Sequence, residues 1–231
     1  MTRSSEPWRS KVMKSREALA LLKKYGASED VIRHVKAVCD YAVEIAEQCP
    51  SADLDLVKVG ALLHDIGRTQ SHDIGHAVAG AEILRREGVD ERIIHIVERH
   101  IGAGLTKEDA VHMGLPPKDY LPETIEEKIV CHADNLIGNK SRISIHEAIR
   151  TAKERWSPGA LDRLIEMHFE VFTPVEAIVE RQSCEKDALD DAIGMLDVLF
   201  RTRRETDRCV VALYGRDAKK AAARLKMLST S

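Results

Sequence analysis

The residues of this chain best able to do chemistry are His34, the pair His64-Asp65, His76, His100 and Asp134. Imidazole and carboxylate are the nitrogen and oxygen donors of divalent-metal sites. Seven of the ten histidines fall between His64 and His132. Taken singly, each has an ordinary reading, since an inward histidine is usually a hydrogen-bonded core residue. The string HDIG occurs twice, at 64–67 and 72–75, and glycine after a helix is an ordinary C-terminal signal. Chemistry therefore needs the six groups to converge, and the elements that carry them decide whether they do.

Apolar spacing is helical almost throughout. A first helix spans about 14–25 and ends at Gly26; Ser28 then caps a second that runs to about Gln48, with Val31, Val35, Val38, Ala42 and Ile45 on one stripe. The third, Leu54 to His64, is apolar nearly all round (LVKVGALL), belongs in the middle of a helical core and is ended by Gly67. Further helices run from Gly75 or His76 to Gly88, from an Asp90 cap to Arg99 or His100, briefly after Thr106, and from about Glu123, started by Pro122, to Ile137. Ser144 opens another to about Trp156. Ala160–Arg181, with a bend at Pro174, and Cys184–Arg204 follow; RCVVALY (208–214) is the one strand suggested, before a basic terminal helix.

On these helices His34 shares the stripe of the second, and His64-Asp65 end the apolar third. His76 precedes Ala79, Gly80 and Ile83 at inward steps. His100 continues Ile93 and Val97, and Asp134 lies between Val130 and Ile137. Buried imidazoles and carboxylates must find partners or carry a desolvation cost of several kcal/mol; a divalent cation would satisfy them together. His132, three after Ile129 and four before Leu136, shows the same apolar spacing and competes with Asp134. The segment around His95, with Glu91, Arg92, Glu98 and Arg99, reads as solvated. His112 and His146 read as surface residues, and His168 as core.

The order His34 … His64-Asp65 … His76 … His100 … Asp134, with GALLHDIGR, GHAVAGAEILRREG, VERHIGAG and CHADNLIG around it, resembles the HD superfamily of metal-dependent phosphohydrolases in its six-ligand form. The likeness spans roughly 32–137. It implies an all-α HD-domain bundle, 11–140; the helical patterns beyond it make 141–231 a mostly helical extension. It also implies ligand roles. His34, His64, Asp65 and Asp134 would hold one ion; His76 and His100 would hold a second with Asp65, whose carboxylate bridges the pair. The ions would be Fe, Mn, Co, Ni or Zn. Arg68 has a claim to the phosphate, against the alternative of an exposed helix-end cation. His72, at the rim, and Lys140 and Arg142, after ADNLIG, are weaker substrate-binding candidates; the second HDIG reads as a fortuitous near-repeat.

The activity implied is hydrolysis of a nucleotide or related small phosphoester, with Asp65 and Arg68 at the reacting centre. HIGAG and ADNLIG look similar to hydrolases of dinucleoside polyphosphates, and cyclic phosphodiesters are also open. HIGAGL lacks the paired histidines and GYP of the type that cleaves cyclic dinucleotides. A two-iron oxygenase and a non-catalytic metal- or nucleotide-binding regulator are the rival classes. With 35 Lys+Arg against 38 Asp+Glu, charge gives no push towards nucleic acid or anionic membrane. No apolar run approaches a membrane span, no signal peptide is visible, and five scattered cysteines without a CxxC pair fit a reducing cytoplasm. A small phosphorylated substrate is the expected partner. The region from residue 141 onward is the place for a protein partner or a second copy.

Overall fold

The computed structural model describes residues 13–49, 51–138 and 141–172. The chain divides into two units, 1–171 and 172–231; what is described is, but for Phe172, the first of them. Nine α-helices follow one another among the described residues: α1 (Ser15–Lys24), α2 (Glu29–Ala46), α3 (Leu54–Leu63), α4 (His76–Arg86), α5 (Glu91–Glu98), α6 (Lys107–His112), α7 (Ile125–Asn135), α8 (Ile145–Lys153) and α9 (Pro158–Phe172). A 3-10 turn, Ile66–Thr69, lies between α3 and α4. The only extended pairings described are isolated bridges, Leu105 with Tyr120 and Ile137 with Arg142. The expected helix beyond Pro174, Cys184–Arg204 and the 208–214 strand lie outside the described residues, as does Lys140.

α3 is the centre of the bundle, packed on α1, α2, α5 and α7. Leu56, Val57, Val59, Ala61, Leu62 and Leu63 are all buried; each large side chain contributes about 1.5–3 kcal/mol by leaving water. Gly60 lets α5 cross closely, because a Cβ there would stand 2.6 Å from the Ile96 side chain. Side-chain caps fix where helices begin. Ser28, Asp90, Thr106 and Ser144 each accept a backbone N–H of the first turn, as their types predict. Asp53 does the same for α3, accepting from Asp55 and Leu56.

Three expectations change. Pro122 does not open α7: the Thr124 hydroxyl accepts from Glu127 N–H and the helix begins at Ile125. Gly67 does not end α3, which stops at Leu63, and its φ is not positive. Its reason is contact, because a Cβ there would overlap the His76 carbonyl and stand 2.6 Å from Gly80 N. Glu98 and Arg99 are not solvated, since α5 turns them into charge clusters. Glu98 is 5% exposed against Lys118 and Arg85, and Arg99 binds Glu123 and Glu127. Their helix is flanked by basic and acidic partners that a linear pattern does not reveal.

Candidate metal centre

Each candidate ligand stands at or near a helix end that the bundle brings to one place. His34 is on the second turn of α2. The buried α3 delivers His64 and Asp65 from its C-terminus, His76 is the first residue of α4, His100 follows α5 by two residues, and Asp134 is on the last turn of α7. The glycine of the first HDIG does the aligning. Without a side chain at 67, the backbone of α4 at His76 and Gly80 lies directly on the turn after Asp65.

The six side chains meet around Asp65. Its Oδ1 lies 3.1 Å from His76 Nε2 and 3.7 Å from His100 Nε2. Its Oδ2 lies 3.7 Å from His34 Nε2 and 3.8 Å from His64 Nε2. Asp134 Oδ1 is 2.9 Å from His34 Nε2 and 3.5 Å from His64 Nε2. One carboxylate thus faces two sets of imidazoles with its two oxygens. His34, His64 and Asp134, and likewise His64, Asp65 and His100, present donor atoms within 4.8 Å of one another.

Backbone carbonyls orient three of these rings. His64 Nδ1 is 2.7 Å from Ala61 O, His76 Nδ1 2.6 Å from Asp73 O, and His100 Nδ1 2.6 Å from Val97 O. A carbonyl can only accept, so each Nδ1 carries a hydrogen, which leaves each Nε2 turned to the centre, where its lone pair can bind a cation. His76 Nε2 and His100 Nε2 are 3.1 Å apart. Lone pairs at that distance, facing carboxylate oxygens, repel unless a cation lies among them. His64 Nε2 and Asp65 Oδ1 are buried with no hydrogen-bond partner. Donors of nitrogen and oxygen type, with ring orientation fixed by second hydrogen bonds, fit a divalent first-row ion.

The electrostatics agree. Burial alone pulls the His64 imidazolium down, but the Asp65 and Asp134 carboxylates outweigh it and hold its pKa up at about 9. Burial disfavours charge on Asp65 and Asp134 too; the surrounding imidazoles keep both well below the usual carboxylate range. His100 is pushed down, chiefly by burial. The fold therefore asks for positive charge at this point, and a proton on His64 supplies it when no metal does.

Exposure is graded across the cluster. His64, His76 and His100 are buried, whereas the side chains of His34 and Asp134 are 30% and 23% exposed. Arg68 stands on the same side as Asp65 Oδ2, giving its Nε–H to that oxygen at 2.7 Å. Of the weaker candidates, His72 is exposed. Arg142 stacks on Tyr41 at 3.5 Å and pairs with Glu44 at 2.9 Å, two turns along α2 from His34. The guanidinium is thereby held against α2. His132, the competitor of Asp134 by spacing, is buried and lies 2.9 Å from buried His168.

The second HDIG is not idle. Asp73 accepts Ser71 Oγ and Gly75 N–H on its side chain while its carbonyl holds His76 Nδ1. Residues missed from sequence include Asn135, whose Nδ2 donates to Gly102 O at 2.6 Å in the loop after His100. Only its place beside Asp134 could have pointed to it.

The HD domain family profile matches residues 31–139. The tRNA (cytidine(56)-2'-O)-methyltransferase of Thermoplasma volcanium is 53% identical over 150 residues, 65% of this chain and 44% of the methyltransferase. Uncharacterized protein MJ0778 of Methanocaldococcus jannaschii is 48% identical over 165 residues, 69% of this chain and 97% of that protein. Among solved structures, the HD domain of the L. monocytogenes phosphodiesterase PgpH in complex with cyclic-di-AMP aligns at 20% identity and a TM-score of 0.43, covering 72% of this chain and 99% of that one. The chain spans under half the length of the methyltransferase it matches.

Proposed function

The chain belongs to the HD family, and from that premise we propose that it is a metal-dependent phosphohydrolase cleaving a nucleotide or related small phosphoester or phosphoanhydride. One observation carries the reading: the two oxygens of buried Asp65 face separate imidazole sets, His76 and His100 on Oδ1, His34 and His64 on Oδ2. In this reading His34, His64, Asp65 and Asp134 hold one ion, and Asp65, His76 and His100 hold a second. When bound, such ions supply Lewis acidity, which brings the pKa of water towards neutrality and offsets charge on phosphoryl oxygens.

The chain's own residues then do three things. Asp65 and Asp134, charged at neutral pH, keep the pocket attractive to cations. Buried His64, His76 and His100 close its floor to bulk water. Arg68, with Nε committed to Asp65, has its terminal nitrogens for a phosphoryl oxygen entering from the open side beside His34 and Asp134.

The likeness to a tRNA methyltransferase favours keeping an RNA phosphoester among the substrates to be tried; methyl transfer belongs to that protein as a whole. The test is metal loading followed by a panel of nucleotides, dinucleoside polyphosphates, cyclic phosphodiesters and phosphorylated RNA ends. Phosphoester cleavage that is lost in Asp65→Ala supports the reading. Oxygen consumption by the two-iron form, without cleavage, would replace it with the oxygenase class. Metal binding without either reaction would replace it with a regulator.

A further inference from the structure

The family profile ends at residue 139, yet α9, beyond it, reaches back to the loop that follows His100. Arg163 gives Nε–H to Ala103 O at 3.3 Å and Nη2 to Gly104 O at 3.0 Å. The same Nη2 pairs with Asp109 Oδ2 at 3.0 Å. Asp109 also closes the cap of α6 with Thr106. The preceding carbonyl, Gly102 O, accepts from Asn135 Nδ2 and from Cys131 Sγ on α7. Three consecutive carbonyls of one loop are thus held by side chains of two other helices.

Glycines set the course of this loop. Gly102 and Gly104 have φ of +56° and +78°, which L side chains rarely adopt. A Cβ at Gly104 would meet Pro122 at 2.6 Å. The loop matters because of what it joins. It leaves directly from His100. Its own small apolar cluster of Leu105, Ala110 and Tyr120 packs on Ile101, Ile74 and Val78, and the last two flank His76. Both imidazoles on the Asp65 Oδ1 side are therefore tied to one loop.

We propose that Arg163 is a positioning residue for the His76–His100 half of the centre, acting through the carbonyls of Ala103 and Gly104. The inference rests on reading His76 and His100 as ligands. With the guanidinium gone, two carbonyls and the α6 cap lose a charge-assisted donor, and the loop no longer fixes the residue that leads into it.

The experiment compares full-length wild type with Arg163→Met, Arg163→Lys and a control, Lys128→Met. The control breaks the 2.7 Å ion pair between α7 and α9 (Lys128–Glu170) without touching the loop. Manganese or zinc is titrated calorimetrically, with metal content measured after dialysis and circular dichroism followed on heating. Arg163→Met should lose the second equivalent, or bind it about tenfold more weakly, the lower end of the effect of removing a group bonded directly to a ligand, since Arg163 acts one step further out. The first equivalent should bind as in wild type. Arg163→Lys should recover part of the loss, and Lys128→Met should bind both ions normally. Two equivalents at wild-type affinity in Arg163→Met would overturn the inference. If Arg163→Met does not fold, Arg163→Lys decides: weakened second binding supports the inference and unchanged binding overturns it. Wild-type protein that takes up fewer than two ions would instead refute the two-ion reading itself.

Discussion

Replacing Gly67 by alanine adds one methyl group at a residue that is no ligand, yet it should disable half of the centre. A Cβ at that position would overlap the His76 carbonyl and stand 2.6 Å from Gly80 N. Non-bonded heavy atoms settle at about 3.5 Å, so α4 must retreat by about 1 Å at Gly80 and by more at His76. His76 Nε2, now 3.1 Å from Asp65 Oδ1, would move to about 4 Å. Metal–ligand distances tolerate about ±0.2 Å, and the displacement is several times that. The variant should lose about 1–3 kcal/mol of stability, as overpacked sites do. It should bind the second ion at least tenfold more weakly, which corresponds to about 1.4 kcal/mol. Isothermal titration with manganese and denaturant unfolding measure the two effects separately. Gly88→Ala is the control: φ is +67° there and a Cβ would meet nothing within 4 Å, so stability falls without any change in metal binding. If Gly67→Ala binds two ions as tightly as wild type, close approach of α4 is not what sets His76, and the geometric argument fails.

Asp65→Asn should abolish binding of both ions and hydrolysis together, because both imidazole sets lose their shared charge, whereas His95→Ala should leave metal content at the wild-type level. Metal affinity should rise with pH from about 6.5 to about 9, since the ion must displace the proton that Asp65 and Asp134 hold on His64. In the metal-free protein that raised pKa stabilises the fold fully below the unfolded value near 6.5. The contribution is lost as pH rises through about 9. Thermal midpoints of metal-free protein should therefore fall across that window, and flat midpoints would contradict it. Arg68→Gln should raise KM for a phosphorylated substrate more than tenfold while leaving the number of bound ions unchanged, read by steady-state kinetics beside metal analysis. Arg142→Gln should change neither, because that guanidinium is occupied by Tyr41 and Glu44.

Much of the helical layout is local, which is why it could be read along the chain. Ser28, Asp90, Thr106 and Ser144 cap helices where their hydroxyl or carboxylate meets the first free amides, and that geometry needs only neighbours. The apolar run of α3 likewise declares its central position by composition. The same reasoning misplaced Gly67 as a helix stop, because the need for glycine there comes from α4, which no local pattern contains. It also left Glu98 and Arg99 in solvent, since Lys118, Glu123 and Glu127 reach them from later in the chain.

The types and order of His34, His64, Asp65, His76, His100 and Asp134 are properties of the sequence, and with the helical periods they already select nitrogen and oxygen donors for a cation. What only the tertiary structure decided is how those donors are shared. Which oxygen of Asp65 faces which imidazoles depends on crossings of α2, α4, α5 and α7 over the end of α3. Which nitrogen each ring turns inward depends on the carbonyls of Ala61, Asp73 and Val97. The physical reason is range: caps and amphipathic faces are set within a few residues, whereas a donor's direction at a shared site is set by whatever backbone packs against it from elsewhere in the chain.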